Sequence, residues 1–278
     1  MSQDSATDAL LVQYHSACPE ATPLTFRRFV SPSEGLDSYG LCVAAAAPWT
    51  PAGAVLDLGC GGGSLLQMLD ARRHIGVDLT PAQIERARLR LGEDAELHAA
   101  GAHQLPLADG SVDLVTSHMA LMLMQPIDAV VAELGRVLRP GGGVVVVVGG
   151  RRPDDPTTQA VVQAFWAALD ALDHDFVSHR LGDRRTRTAA GLRGLFADLL
   201  EALEVREHAL YAEASVEEHW GHLAGMYNVW ELSDAQIEAV RAAVCPVMAG
   251  RAVDGRLRVG MTVQVLVGRR LGGAPSTG

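Results

Sequence analysis

The chain has 278 residues, and 48% of them are hydrophobic, so one large domain or two small ones can bury a substantial core. Its net charge is −10, which makes it a poor partner for phosphate backbones and disfavours nucleic-acid substrates. Its 23 cations are all arginine, and without lysine there is no amine for a Schiff base.

Residues 1–48 precede the first strand. Asp8 to His15 reads as a short helix with Leu10, Leu11 and Tyr14 on one side. Pro19, Pro23 and Pro32 break regular structure, and Leu36 to Ala47 reads as a helix ending before Pro48. The stretch Val55 to Leu66 then reads V-L-D-L-G-C-G-G-G-S-L-L. Val55, Leu56 and Leu58 predict a short buried strand. Gly59, Gly61, Gly62 and Gly63 follow, and then a helix over about 63–71, capped by Ser64 and carrying Leu65, Leu66 and Leu69. Strand, glycine loop and helix N-terminus make a place where a ligand can touch backbone.

Glycine spacing separates two readings of that loop. A dinucleotide fingerprint needs a third glycine at position 64, which is Ser. The pattern present is Asp57-x-Gly59-x-Gly61-x-Gly63. On this motif the chain resembles the class I S-adenosylmethionine (SAM)-dependent methyltransferases, type 11-like and of the small-molecule branch. The resemblance implies that Asp57, Gly59, Cys60, Gly61 and Gly63 help to hold SAM. It also implies that the N-terminal segment covers cofactor and substrate. Tyr14, Phe26, Arg28, Phe29 and Tyr39 then either face the site or fasten the cover to the core.

His74 to Val77 reads as a second strand ending in Asp78. An acid there can accept hydrogen bonds from both hydroxyls of a ribose. The resemblance assigns Asp78 that role, with Leu79 beside it; the alternative is that Asp78 caps the next turn. Thr80-Pro81 opens a helix to about Leu91, and Glu96 to Ala100 is a third strand. The family often continues G-D-A-x-x-L-P-F, where this chain has G-A-H-Q-L-P-L. Ala102 therefore replaces the acid near the adenine amino group, and the backbone of Ala102 and His103, or the His103 ring, is left for that contact.

Val112 to Thr116 is a fourth strand inside D-G-S-V-D-L-V, close to the family's D-G-S-F-D-x-V. It ends at Ser117-His118-Met119, where ligands lie in doubly wound sheets. Ser117 is thus expected at the cofactor and His118 at the methyl group or substrate. The Asn/Asp-Pro-Pro-aromatic tetrad of DNA amino-methyltransferases is missing here. Met119 to Met124 is a soft apolar stretch, part core and part adaptable pocket, with Met122 as the substrate-side candidate.

Pro126 to Leu138 reads as an amphipathic helix. Arg136 to Gly142 then matches the family's R-V-L-R-P-G-G letter for letter, before the apolar strand Val144 to Val148. Beyond it, helices are expected at Pro156–Leu172, Leu192–Leu203, Ser215–Trp230 and Ser233–Met248. Strands are expected at Val205–Ala212 and Met261–Val267. The helix from Ser215, opened by a capping box with Glu218, is either a lid or a helix packed on the sheet edge; His222 and Tyr227 are its substrate-side candidates. His219 and His222 lack a clear third ligand, and no metal is expected.

The expected fold is α/β: one doubly wound, Rossmann-like, seven-stranded sheet with its last strand antiparallel and helices on both faces. The sequence reads as a single domain: a cover over 1–48, a SAM-binding core over 49–150, substrate-side helices and last strands over 151–270, and a flexible tail over 271–278. The resemblance implies in-line methyl transfer from SAM to a small organic molecule, as in secondary-metabolite tailoring, leaving S-adenosylhomocysteine. His118 is the candidate base where the acceptor carries a proton. The alternatives are a SAM-binding enzyme with another reaction, such as cyclisation, and a non-catalytic SAM-binding module. A monomer or homodimer is expected, without nucleic-acid or membrane partners. Cys18, Cys42, Cys60 and Cys245 lack disulfide or metal spacing, and no signal peptide or membrane-length apolar run is evident, which fits a reducing cytoplasm.

Overall fold

The computed structural model describes residues 3–272, so residues 273–278 of the expected tail lie outside the described residues. The N-terminal stretch folds into α1 (Gln3–Ala17), α2 (Ala21–Phe26) and α3 (Ser38–Ala46). Asp37 caps α3 by accepting the Gly40 N–H at 2.7 Å. The prolines of this stretch argue against α2, yet Pro23 sits in its first turn, where a missing N–H breaks no helical hydrogen bond.

Seven strands follow: β1 (Ala52–Leu58), β2 (Ala71–Asp78), β3 (Glu96–Ala99), β4 (Val112–His118), β5 (Leu138–Gly149), β6 (Leu200–Ser215) and β7 (Arg256–Arg270). They form one sheet in the order β3-β2-β1-β4-β5-β7-β6. Only β7 runs antiparallel to its neighbours β5 and β6. This is the expected doubly wound sheet with a reversed last strand. The order turns back between β1 and β4, so their carboxyl ends open a crevice.

The remaining helices are α4 (Pro81–Leu91), α5 (Ile127–Val137), α6 (Pro156–Asp170), α7 (Ala189–Phe196), α8 (Val216–Ala224), α9 (Tyr227–Trp230) and α10 (Asp234–Ala249). Strand alternation divides the core. Val144, Val146 and Val148 pack with Leu134 of α5 and Phe196 of α7. Val145 and Val147 join Leu41 and Cys42 of α3 in the apolar cluster of the opposite face. A third cluster joins α6, α8 and α10 through Phe165, Trp220 and Val240.

Three expected helices differ. After the glycine loop only a 3-10 turn, Leu66–Met68, replaces the helix over 63–71. β2 takes up the chain from Ala71, which pairs with Ala52, and leaves no room for more. The helix expected to run to Leu203 stops at Phe196, because Leu200 already pairs with Arg270 of β7. The helix expected over 215–230 breaks at Gly225 into α8 and α9.

Candidate active site

The glycine loop is a backbone device. Gly59, Gly61 and Gly63 have φ of +74°, +50° and +79°. A Cβ on Gly59 would lie 2.3 Å from the Ala120 side chain, so the segment after β4 packs straight onto it. At Gly61 the nearest atom to that position is Gln83 Oε1 at 3.9 Å, and the backbone is open. Gly63 instead seats Leu91, 2.9 Å from where its Cβ would be. The N–H groups of Gly59 and Cys60 donate to the Val77 carbonyl at 2.8 and 3.1 Å, fastening the loop to the end of β2.

Asp78 completes the cradle. Its Oδ2 accepts the Gly61 N–H at 2.8 Å and its Oδ1 accepts the Thr80 N–H at 2.9 Å. It therefore caps the turn before α4, and each oxygen retains a lone pair for a further donor. On β1 the buried Asp57 accepts from Thr116 Oγ1 at 2.9 Å. Burial pushes its carboxyl up to about 7 against that hydrogen bond, and the charge of Asp78 adds to the rise.

Two cavities, about 100 and about 70 Å³, lie at these strand ends and share His15, Gly59, Asp78, Ala120 and Leu123. Leu79, Thr80, Ala102 and His103 line the first. Tyr39, Asp57, Cys60, Gly61, Gln83 and His118 line the second. Among the described residues, Thr80 Oγ1 and Gln83 Oε1 are buried without a hydrogen-bond partner. An open glycine backbone, a carboxylate with spare lone pairs and two orphaned polar oxygens fit a ribose and the polar end of SAM. Arg136 explains the R-V-L-R-P-G-G match. It donates to the carbonyls of Leu105 and Leu107 at 3.0 and 2.7 Å and fixes the segment that follows the Ala102–His103 wall.

His118 closes the second cavity. Its Nε2 lies 2.8 Å from Ser38 Oγ, and its ring stacks on Tyr39 with centroids 3.9 Å apart. Burial, with Arg27 nearby, pushes it down to about 3, so the ring is neutral at physiological pH and accepts a proton poorly.

Several candidates sit elsewhere. Ser117 is fully buried and donates to the Leu58 carbonyl at 2.8 Å, pinning β4 to β1 instead of lining a cavity. Met122 packs in the core, with its Sδ 3.4 Å from the Gly149 N–H. Tyr14 donates to the Gly225 carbonyl and packs against Tyr227 with ring centroids 4.4 Å apart and planes tilted by 50°, and the Tyr227 hydroxyl lies 2.9 Å from His15 Nε2. These contacts fasten α1 to α8 and α9. His222 lies beside Phe29, with ring centroids 5.2 Å apart, and lines a third cavity.

The cavity-facing residues of α1 are Asp8, Leu11 and His15, not Tyr14. Their i, i+3, i+7 spacing was the available signal, and Tyr14 belongs to the neighbouring face. Burial lowers the His15 pKa, opposed by the charge of Asp78. Among the described residues, no group of three or more His, Cys, Asp or Glu is placed to hold a metal, and no helix is long and apolar enough to cross a membrane.

Residues 56–146 match the family model of a methyltransferase domain. A malonyl-acyl-carrier-protein O-methyltransferase of Hahella chejuensis is 34% identical over 159 residues, covering 55% of this chain and 54% of that protein. An arsenite methyltransferase of Halobacterium salinarum is 37% identical over 107 residues, covering 35% and 27%. The chain thus matches about half the length, or less, of these curated relatives. In fold it is similar to the YcgJ protein of Bacillus subtilis, with a TM-score of 0.56 at 18% identity over 85% of this chain and 99% of that one. It is equally similar to the cyclase SpnF, with a TM-score of 0.56 at 18% identity over 95% and 96%. With its glycine cradle and its strand order, the chain has a methyltransferase-like fold, and residues 56–146 are similar to a methyltransferase domain.

Proposed function

We propose that this chain is a methyltransferase that moves the methyl group of SAM to a small organic molecule, as in the tailoring of a secondary metabolite. The observation that carries the reading is the clamp of Asp78 on Gly61 and Thr80, beside an open glycine backbone and the orphaned oxygens of Thr80 and Gln83. Asp78 is the proposed ribose acceptor. Leu79, Ala102 and His103 form the proposed adenine wall, and Gly59, Cys60 and Gly61 carry the remainder.

When SAM is bound, the acceptor's lone pair forms the bond to the methyl carbon as the carbon–sulfur bond breaks, and that electron pair stays on sulfur in S-adenosylhomocysteine. Tyr39 and His118 are proposed to wall the reacting end. His118 orients Ser38 and excludes water there as a neutral ring, and it takes up no proton. A proton carried by the acceptor stays on the methylated product and is given up to solvent when the product leaves the site. The four free cysteines support a reducing, cytoplasmic setting, and the domain is proposed to act as one unit.

Calorimetric titration with SAM, S-adenosylhomocysteine and NAD tests the cofactor. The first two are expected to bind and NAD to fail; binding of NAD alone would overturn the reading. An acceptor screen scored by S-adenosylhomocysteine release tests the reaction. A converted substrate without that release would favour ring closure, the activity named for the structural neighbour SpnF.

A further inference from the structure

A third cavity, of about 700 Å³, adjoins the second and shares Pro23, Ser64 and Arg90 with it. Arg27 and Arg28 after α2, Gln67 after the glycine loop, Arg90 of α4 and His222 of α8 contribute to its walls. Three guanidiniums in one cleft stand out in a chain of net charge −10. Two of them are already engaged. Arg90 donates to Ser64 Oγ at 2.9 Å and pairs with Glu20, the one acid in the lining, at 3.3 Å. Arg28 pairs with Glu218 at 3.2 Å through half-exposed side chains, a contact of little strength.

Arg27 differs. Among the described residues it has no carboxylate partner. Its Nη2 rests 3.4 Å from Met68 Sδ, and its guanidinium lies 4.7 Å from the centre of the Tyr39 ring. Tyr39 stacks in turn on His118. The unpaired cation is therefore one ring away from the wall where methyl transfer is proposed. In the lining of the same cleft, His222 Nδ1 is buried with no hydrogen-bond partner among the described residues.

We propose that this cleft admits the acceptor and selects molecules carrying an anionic group, a carboxylate or a phosphate ester, held by Arg27 and Arg28 while the acceptor atom faces Tyr39 and His118. The reaction assigned to the bound molecule rests on the methyltransferase reading; the anion site itself does not. A guanidinium presents its donors as a planar fork that matches both anions, and stacking on Tyr39 holds that fork in place before the substrate arrives.

The test is calorimetry on the whole chain with malonate, inorganic phosphate, uncharged malonamide and S-adenosylhomocysteine, in wild type, Arg27→Gln, Arg27→Lys and Arg28→Gln. Malonate or phosphate is expected to bind wild type, malonamide to fail, and the tighter of the two anions identifies the group. Arg27→Gln should weaken the anion about tenfold, the loss of one charge-assisted contact, and Arg27→Lys should recover only part of that loss, because an ammonium keeps the charge but not the stacked fork. Arg28→Gln should weaken it in the same direction, which keeps the test open if the Arg27 variant does not fold. S-adenosylhomocysteine affinity should be the same in all four proteins. Absence of anion binding to wild type, equal binding of malonamide, or wild-type anion affinity in both Gln variants would overturn the proposal. If S-adenosylhomocysteine fails to bind while the anions still bind through Arg27, the methyltransferase reading falls and the anion site stands.

Discussion

The cradle and its cover are held by different kinds of contact. In the cradle, backbone N–H groups do most of the work: Gly59 and Cys60 on the Val77 carbonyl, Gly61 and Thr80 on the Asp78 carboxylate. The cover is fastened by side chains from distant parts of the chain. Tyr14 reaches Gly225, His15 reaches Tyr227, and Gln83 donates to the carbonyls of His15 and Pro19 at 3.3 and 3.1 Å. Each such contact contributes only about 1 kcal/mol. The cavities beneath are about 100 and about 70 Å³, whereas pockets for ligands of drug size begin at roughly 300 Å³. A ligand that fills this crevice therefore needs the cover, and not the cradle, to yield. A fixed cradle beneath a cover that can change lets one fold serve many acceptors.

The largest predicted effect attacks the cradle. Gly59→Val adds a side chain at positive φ against Ala120 and should lower stability by about 3 kcal/mol and abolish S-adenosylhomocysteine binding, as read by urea unfolding and calorimetry. Asp78→Ala should weaken S-adenosylhomocysteine about a hundredfold, two charge-assisted hydrogen bonds, while unfolding still shows one cooperative transition. A variant that binds as well as wild type would break the comparison.

Acid should separate the two regions by sign. In the cradle, Asp57 has a folded value of about 7 against its ordinary 3.8. It adds stability that is present in acid and lost as pH rises between those values. On α8, where the cover is fastened, His222 is pushed down to about 4 from 6.5, chiefly by burial. Its contribution is present above pH 6.5 and lost as pH falls toward 4. Between pH 4 and 7, Asp57→Asn should lose stability with acid more steeply than wild type, and His222→Leu less steeply, each by up to about 1 kcal/mol per pH unit in urea unfolding. The smallest effect belongs to Tyr14→Phe, which removes one hydrogen bond to Gly225. It should cost about 1 kcal/mol in the same assay and leave S-adenosylhomocysteine affinity nearly unchanged.

The same division decides what the sequence could show. The alternation of Gly59, Gly61 and Gly63 after Asp57 is legible because three positive φ angles in a row of alternate residues demand glycine there. Asp78 is legible because strand length fixes where β2 ends. Ser117 stands at the end of β4, but proximity to a strand end does not say which neighbour a side chain bonds, and Ser117 bonds Leu58. The chain after Gly63 has helical spacing in Leu65, Leu66 and Leu69, but β2 begins at Ala71 and tertiary pairing overrides local preference. The neutral state of His118 depends on burial, to which Tyr39 and Phe26 contribute, and on the charge of Arg27, all far away in sequence. The cover was legible only as helices. Which residue of α1 faces inward, Tyr14 or His15, depends on Tyr227 and Gly225, about 210 residues away, and no local pattern carries that.

Hydrogen exchange of the whole chain with and without S-adenosylhomocysteine tests the central claim most directly, because it reads cradle and cover in one experiment. The account predicts added protection at 59–63 and 78–80, where backbone amides hold the loop and Asp78, together with slower exchange in α1 as it closes over the ligand. Binding that leaves 59–63 and 78–80 unprotected, with protection confined to other segments, would contradict it.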